Sequence, residues 1–386
     1  FMAFLLILVY LTKPYTYDLN KYSIYFATGF VNTDTWHMPD GRFALDSKDT
    51  TGDPFDGNYE AAFRYLAAFG NKWLPLGSLW PRVDADYGDV KARGPPRNDA
   101  AIVLVALVGF VLLSLALTTV RRWDGESSTS SRPDFLLVSV LIVGSIFFLL
   151  GSQNTLRQFL AMSVAINGIV LAMSRRYLLA ISICALSAFF HQWGPFLGAI
   201  GIGIAAVTNF EHSSAKSPVI YSLRPSRLDV WIFLMGCAGV VAIKAIGVFG
   251  LFTIDFPMIG EFKHYLIEQD QYDSLERINR IKKAGLLALM GLVSEVVLGS
   301  TTNAGFNKVR SLRRKVLLFI LPLAVYPEIF SRVLIIYWIS ELIFIVGALS
   351  TRETRIRMSG AFVFCVYGIA PNAINVIIGP AWLFAL

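Results

Sequence analysis

Three ionisable residues, Arg157, His191 and Arg332, lie where long apolar stretches of the sequence are interrupted. Arginine binds phosphate bidentately through its planar guanidinium group and does not lose its charge. A neutral histidine can act as a general base on a hydroxyl group or hydrogen-bond a phosphate oxygen. These residue types indicate a site for a pyrophosphate held by a lipid. The alternative is that each arginine reaches lipid head groups and that the histidine is structural.

Further polar and aromatic residues accompany these positions on several segments of the chain. They are Asn154, Gln158, Lys263, Tyr265 and Tyr337. The amides and the lysine are hydrogen-bond donors, and the tyrosine hydroxyl groups both donate and accept. We therefore expect these side chains to bind the substrate beside the three ionisable residues.

The segment after residue 12 is rich in tyrosine and carries a few carboxylates. Aromatic ring faces offer apolar surface on which sugars stack, while carboxylates accept hydrogen bonds from hydroxyl groups. We expect Tyr17, Asp18 and Tyr22 to contact a carbohydrate, with Glu60 as a further carboxylate. The alternative is that the aromatic residues only anchor the chain at a membrane interface.

Several common catalytic motifs are absent from the sequence. It contains no GxxxxGK[ST] phosphate loop, no HExxH helix and no GxSxG elbow, so ATP hydrolysis, zinc proteolysis and serine hydrolysis lack their signatures. The acidic residues between 46 and 60 do not have the spacing of an EF-hand. The three cysteines stand apart in apolar segments, which is typical of small buried side chains and not of a metal site.

The composition of the chain indicates which elements position these residues. Of its 386 residues, 55% are hydrophobic and 16% are charged, whereas soluble proteins average about 25% charged residues. The apolar residues form blocks, several of them as long as the roughly 20 residues of a membrane-spanning helix. This excludes a soluble enzyme and a nucleic-acid-binding module. We expect an all-α polytopic membrane protein, a single transmembrane domain over 1–386 with about eleven spans in a range of about 10–13.

Three apolar blocks behave as helical hairpins. The blocks 135–174, 177–210 and 316–350 are each too long for one helix. Polar residues interrupt all three blocks, and Pro195 and Pro327 disfavour an unbroken helix in the last two. The tips of these hairpins hold Arg157, His191 and Arg332, so folding back would bring the three residues to the same side of the membrane.

The basic residues orient the spans, because short cytoplasmic loops of membrane proteins are enriched in Lys and Arg. Every second connecting segment carries a basic cluster: Arg121, Arg122, Arg132, Arg175, Arg176, Lys216, Arg224, Arg227, Lys308, Arg310, Arg313, Arg314, Lys315, Arg352, Arg355 and Arg357. We expect this side to be cytoplasmic and the three hairpin tips to face away from the cytoplasm. The net charge of +7 then requires no nucleic acid or other acidic partner.

Two long segments, 13–98 and 252–283, fall on the same side as the hairpin tips and are expected to form a cap over them. Within the membrane, Lys244 and Glu341 lie at similar depth and are expected to pair, with Glu295 as a competitor for the lysine. The chain begins at Phe1 inside an apolar run, so we expect further residues upstream.

The motifs at the hairpin tips resemble the EpsG-like branch of the Wzy-type polysaccharide polymerases. The most specific part is the Arg-Gln-x-x-Ala element in Asn154-Thr155-Leu156-Arg157-Gln158-Phe159-Leu160-Ala161. The other parts are Phe189-Phe190-His191, Phe330-Ser331-Arg332 with Tyr337, Tyr17-Asp18 before Tyr22, Tyr59-Glu60, and Lys263 with Tyr265. This chain departs from the pattern after the histidine, where Gln-Trp-Gly replaces small hydroxyl residues, and in its long segment 30–58.

The resemblance implies a GT-C-like glycosyltransferase of the bacterial inner membrane that acts on the periplasmic face, with 13–98 and 252–283 as periplasmic loops. Such polymerases join oligosaccharide repeat units carried on undecaprenyl diphosphate into O-antigen or a related exopolysaccharide, without a cofactor or a metal. Arg157 and Arg332 would neutralise the departing lipid diphosphate. His191, Asp18 or Glu60 would orient or deprotonate the acceptor hydroxyl. The partners expected from the family, besides membrane lipid, are a chain-length regulator and a flippase.

Two other functions use similar features. Another lipid-linked-sugar glycosyltransferase, such as an O-antigen ligase, would need the same cationic site. A transporter or flippase of lipid-linked sugars would place polar residues at the midplane and usually contain an internal repeat. The sequence shows no clear repeat and concentrates its ionisable residues at one face, which favours the polymerase.

Overall fold

The computed structural model describes residues 98–121, 135–145, 148, 156–191, 193–214, 225–249, 274–298, 301, 303–351 and 353–366, with isolated positions between 62 and 74. Helices make up almost all of this part of the chain. The α-helices are α1 (Asp99–Arg121), α2 (Phe135–Val143), α3 (Leu156–Met173), α4 (Tyr177–Leu186), α5 (Trp193–Ser214), α6 (Arg227–Phe249), α7 (Ser274–Leu298), α8 (Ala304–Ile320), α9 (Pro327–Ser350) and α10 (Thr354–Phe364). The 3-10 helices Ser187–Phe189 and Leu321–Val325 follow α4 and α8.

Four of the described helices are long and apolar enough to cross a membrane: Asp99–Val120, Leu156–Met173, Trp193–Ser213 and Ile329–Ser350. Tyr177–Phe189 and Ala284–Leu298 are shorter apolar helices. The expectation of a helical membrane protein is therefore confirmed. The count of about eleven spans remains a prediction, because apolar blocks at both ends of the chain lie outside the described residues.

Helix α3 lies at the centre of one half of the bundle, where it packs against α1, α4 and α5. Glycines permit these close approaches, since a side chain at their positions would meet a neighbouring helix. A Cβ at Gly168 of α3 would lie 2.8 Å from the carbonyl oxygen of Ala180 in α4. A Cβ at Gly198 of α5 would fall on the Sγ of Cys184 and lie 3.2 Å from the Cβ of Ala165.

Replacing Gly198 with alanine is therefore expected to lower the free energy of unfolding by about 1–3 kcal/mol, because the added methyl group overpacks the junction of α3, α4 and α5. The matched control is Gly203→Ala on the same helix, where a Cβ meets no atom within 4 Å. The control should leave stability unchanged or raise it by up to about 1 kcal/mol. Thermal denaturation of the two variants in detergent measures the difference, and equal midpoints would contradict the packing argument.

The segment with the densest basic cluster is a helix and not the short loop that the sequence analysis assumed. Residues 304–320 form α8, which begins where the side chain of Asn303 accepts a hydrogen bond from the backbone N–H of Phe306 at 2.9 Å. The apolar residues Phe306 and Val309 pack against α9 beside Gly347 and Phe344. Helix α8 also contacts α5, α6 and α7, so neighbouring helices enclose it.

The basic side chains of α8 form a buried ion network with acidic residues of the surrounding helices. The ion pairs are Arg310 with Glu295 (2.5 Å), Arg313 with Glu341 (2.8 Å) and with Glu295 (3.8 Å), Arg314 with Asp229 (3.0 Å), and Lys315 with Glu211 (2.6 Å) and with Asp229 (3.3 Å). The network joins α8 to α5, α6, α7 and α9. Because each cation has an acidic partner at close range, a strongly polar helix is accommodated inside the bundle.

This network provides the two intramembrane acids with arginine partners. Glu341 binds Arg313, and Glu295 binds Arg310 and Arg313, whereas the sequence predicts that Lys244 pairs with Glu341 and that Glu295 competes for it. The sequence places these arginines in a loop, whereas in the structure they lie on α8, within reach of both carboxylates. The side chain of Lys244 lies outside the described residues.

The described segments that carry basic clusters gather at one end of the bundle. Asn209 near the end of α5 donates to the carbonyl of Ala172 at the end of α3 (2.7 Å), and Lys308 of α8 donates to the carbonyl of Met173. Arg355 of α10 donates to the carbonyl of Val297 at the end of α7 (3.1 Å). The N-terminus of α5 lies about 33 Å away, at 1.5 Å per residue. The bundle thus separates a basic end from the end at which α3 and α5 begin.

Candidate functional site

Arg157, His191 and Arg332 all lie near helix N-termini. Arg157 is in the first turn of α3, His191 lies two residues before the start of α5, and Arg332 is in the second turn of α9. The apolar interruptions that marked these residues in the sequence are thus the points where helices begin. The positive end of a helix dipole attracts negative charge, so each of these helices adds to the attraction for an anion.

A tight turn holds His191 between α4 and α5. The carbonyl oxygen of Ser187 accepts hydrogen bonds from the N–H groups of Phe190 and His191, both at 3.1 Å. The carbonyl of His191 accepts from the N–H of Gly194 at 2.9 Å, and its ring Nδ1 accepts from the N–H of Trp193 at 3.1 Å. His191 therefore caps α5, since the first N–H groups of a helix have no partner within the helix.

A hydrogen bond connects the first and third hairpins. Nη1 of Arg332 donates to Oε1 of Gln158 at 3.1 Å, although the two residues are 174 positions apart. Gln158 is 1% exposed, and its Nε2 has no hydrogen-bond partner among the described residues. The oxygen of the Gln158 amide thus orients the guanidinium group of Arg332. The N–H groups of the same amide remain available to donate to another acceptor.

His191 lies in an electropositive environment. Its side chain is buried, and burial together with the positive charges of Arg157 and Arg332 lowers the pKa of His191 well below its ordinary value of 6.5. A depressed pKa keeps the imidazole neutral at neutral pH. We call Arg157, Gln158, His191 and Arg332 the donor cluster, because Arg332 is hydrogen-bonded to Gln158 and the charges of both arginines act on the imidazole of His191.

Tyr337, one of the predicted substrate-binding residues, lies beside the buried ion network in the structure. Its side chain is fully buried in α9, and it interacts electrostatically with Arg313 of the buried ion network. Arg332 and Tyr337 are five residues apart, which turns their side chains about 140° from each other around the helix axis. Tyr337 thus lies between the donor cluster and the ion network along α9.

Seven of the predicted substrate-binding residues lie outside the described residues. They are Tyr17, Asp18, Tyr22, Glu60, Asn154, Lys263 and Tyr265. The sequence analysis did not single out Trp193, whose backbone N–H fixes the ring of His191. Its position two residues after the histidine, at the start of an apolar helix, is the signal that could have identified it. In the described part of the chain, no group of three or more His, Cys, Asp or Glu side chains is arranged to hold a metal ion.

Comparison with known proteins places the chain in a family. The EpsG family profile matches residues 98–383, which contain the whole donor cluster and all ten described helices. The match does not include residues 1–97, where Tyr17, Asp18, Tyr22 and Glu60 lie. Neither the curated proteins nor the solved structures contain a match to this chain. The chain belongs to the EpsG family, which comprises membrane proteins related to the Wzy-like polysaccharide polymerases.

Proposed function

We propose that this protein polymerises oligosaccharide repeat units carried on undecaprenyl diphosphate into O-antigen or a related exopolysaccharide. In this proposal it is a GT-C-like glycosyltransferase of the bacterial inner membrane, and the donor cluster faces the periplasm. Membership of a family related to polysaccharide polymerases supports the reaction class. The substrate is inferred from the chemistry of the donor cluster.

The observation that carries the proposal is that Arg332 is hydrogen-bonded to the buried Gln158 beside the buried His191, whose pKa both Arg157 and Arg332 lower. A lipid diphosphate has several anionic oxygens that accept such hydrogen bonds, and charge-assisted bonds from guanidinium groups are the stronger kind. The unpartnered Nε2 of Gln158 adds a further donor. A site built from donors near the N-termini of helices that are long and apolar enough to cross a membrane fits an anion that is attached to a lipid tail.

The donor cluster would act on the leaving group of the transfer. The acceptor hydroxyl oxygen forms a bond to the anomeric carbon of the donor sugar, while the bond from that carbon to the diphosphate oxygen breaks. The bonding electron pair leaves with the diphosphate, and the hydroxyl proton passes to a base. Arg157 and Arg332 would stabilise the charge that develops on the departing oxygen, which is the largest electrostatic demand of the step.

Deletion of the gene in its host, followed by complementation, tests the proposal. Wild type should restore a ladder of surface polysaccharide on a gel, whereas Arg157→Ala should leave single repeat units attached to the lipid core. Loss of all attached sugar would indicate a ligase, and repeats stranded on the cytoplasmic leaflet would indicate a flippase. Full-length ladders from Arg157→Ala at normal protein level would contradict the role of Arg157.

The proposed orientation predicts that the two ends of the bundle react with reagents on opposite sides of the membrane. In a variant without native cysteines, Ser152→Cys before α3 should react with a membrane-impermeant maleimide in cells whose outer membrane is permeable. Thr354→Cys, which is exposed at the basic end, should react only after the inner membrane is opened. Labelling of both cysteines from the same side would contradict the orientation.

A further inference from the structure

We propose that His191 acts in this transfer as a neutral hydrogen-bond donor, through its Nε2–H, to the departing phosphate oxygen, and that it is not the general base. The inference rests on the proposed function and assigns His191 one of the two roles that its residue type allows. It follows from the contacts of the imidazole ring, the position of the ring at the start of α5 and the charges around it.

The hydrogen bond at Nδ1 determines the tautomer. A neutral imidazole carries one proton, and the nitrogen that accepts a hydrogen bond is the one without it. Because Nδ1 of His191 accepts the N–H of Trp193 at 3.1 Å, the proton lies on Nε2. The ring then has no unoccupied nitrogen lone pair with which to receive a proton from a sugar hydroxyl.

Protonation of His191 would also break an N-terminal cap. The imidazolium ion has a proton on both nitrogens, so Nδ1 could no longer accept from the N–H of Trp193. Trp193 is the first residue of α5 and is almost completely buried. Its N–H would lose the imidazole as acceptor, and the loss of this buried hydrogen bond opposes the protonation that a general base requires.

The charged groups that act on the ring favour the same role. Arg157 on α3 and Arg332 on α9 both oppose a positive charge on His191. A general base becomes positively charged in the transition state, which these guanidinium groups would penalise. A donor faces negative charge that grows on the departing oxygen, so its hydrogen bond strengthens during the same step.

The proton of the acceptor hydroxyl then passes to a base other than His191. The oxygen of the hydroxyl keeps its electron pair for the new bond to the anomeric carbon, and the electron pair of the broken bond remains on the diphosphate. The carboxylates that the sequence analysis suggests for this step are Asp18 and Glu60. His191 then returns to its starting state without any change in its own protonation.

Two substitutions separate the roles of the ring. Glutamine places an amide N–H near the position of Nε2 but cannot serve as a base, whereas asparagine places an oxygen near Nδ1 and offers no donor at Nε2. We expect His191→Gln to synthesise polymer in host cells within about tenfold of the wild-type rate, and His191→Asn to lose about 100-fold or more. The pH dependence of polymerisation should be the same for His191→Gln and wild type.

A spectroscopic measurement tests the tautomer independently of activity. The chain has four histidines, so the ¹⁵N resonances of His191 are identified by their absence from a His191→Asn sample. The Nε2–H tautomer is expected from pH 6 to pH 8, and the Nδ1–H tautomer or an imidazolium would overturn the inference. If wild type makes polymer and folded His191→Gln makes about 100-fold less, the inference about His191 is overturned while the proposed function stands. Failure of wild type to polymerise, with the Nε2–H tautomer present, would overturn the proposed function and the role derived from it.

Discussion

Replacing Arg332 with methionine is expected to lower the rate of polymer synthesis by about 10²–10³-fold while the protein remains folded. Methionine keeps an unbranched apolar stem like that of arginine but removes the guanidinium group. In the proposed mechanism the departing diphosphate would lose a charged donor, and Oε1 of Gln158 loses the hydrogen bond that joins the first and third hairpins. Arg332→Lys should fall between wild type and methionine, because lysine keeps the charge but lacks the planar fork. The rate is measured by pulse labelling of surface polysaccharide in the complemented host.

The matched control for this experiment is Arg357→Met. Arg357 is an exposed arginine of α10 at the opposite end of the bundle, so its removal tests whether any arginine loss reduces the rate. We expect Arg357→Met to polymerise at the wild-type rate. Wild-type ladders from Arg332→Met, at equal protein level in the membrane, would contradict a role of Arg332 in leaving-group stabilisation.

Removal of Arg313 alone is expected to destabilise the protein by about 3–5 kcal/mol, the usual effect of leaving one charge of a buried pair without its partner. Arg313 donates to Glu341 at 2.8 Å and to Ser294 at 2.6 Å, and its guanidinium carbon lies 4.3 Å from the centre of the Phe344 ring. Both members of the pair are almost completely buried. In Arg313→Met the carboxylate of Glu341 would remain within the bundle without its cation.

Replacing Glu341 alone should destabilise the protein less than replacing Arg313 alone, because the structure provides Arg313 with other partners. In Glu341→Leu, Arg313 keeps Ser294 and lies 3.8 Å from Glu295. The double variant Arg313→Met with Glu341→Leu should be more stable than Arg313→Met alone, since it buries no unpaired charge. A double-mutant cycle of thermal denaturation in detergent measures the coupling. Additive effects of the two substitutions would contradict an interacting buried pair.

The sequence alone predicted the elements that carry the donor cluster. Short stretches of sequence were sufficient to predict where these helices begin. The length of an apolar run, a proline and a run of polar residues are each recognised from a few neighbouring residues. On this basis Arg157, His191 and Arg332 were assigned to hairpin tips, and the structure shows a helix beginning within a few residues of each of them. The short motifs at the same tips were enough to indicate the family, which the family profile confirms.

The error at α8 shows where local rules are insufficient. Five basic residues between 308 and 315 were assigned to a cytoplasmic loop, because a count of Lys and Arg cannot distinguish a solvated loop from a buried helix. Burial of Lys315 depends on Glu211 and Asp229, which belong to α5 and α6 and lie roughly one hundred positions earlier. The polar helix is stable inside the bundle only because those acids face it, and their positions are set by the packing of other helices.

The sequence by itself determined that the chain is a helical membrane protein, where several of its helices begin and which ionisable residues lie at those points. Composition and periodicity suffice for this because they reflect the local cost of placing each segment in lipid. Only the tertiary structure decided that Arg332 binds Gln158, that Glu341 binds Arg313 and that the Nδ1 of His191 is occupied. The first two contacts join segments that are far apart in the chain, so they depend on how the helices pack against each other. The third contact depends on the geometry of the turn into α5. Residue types alone specify neither the packing nor the turn.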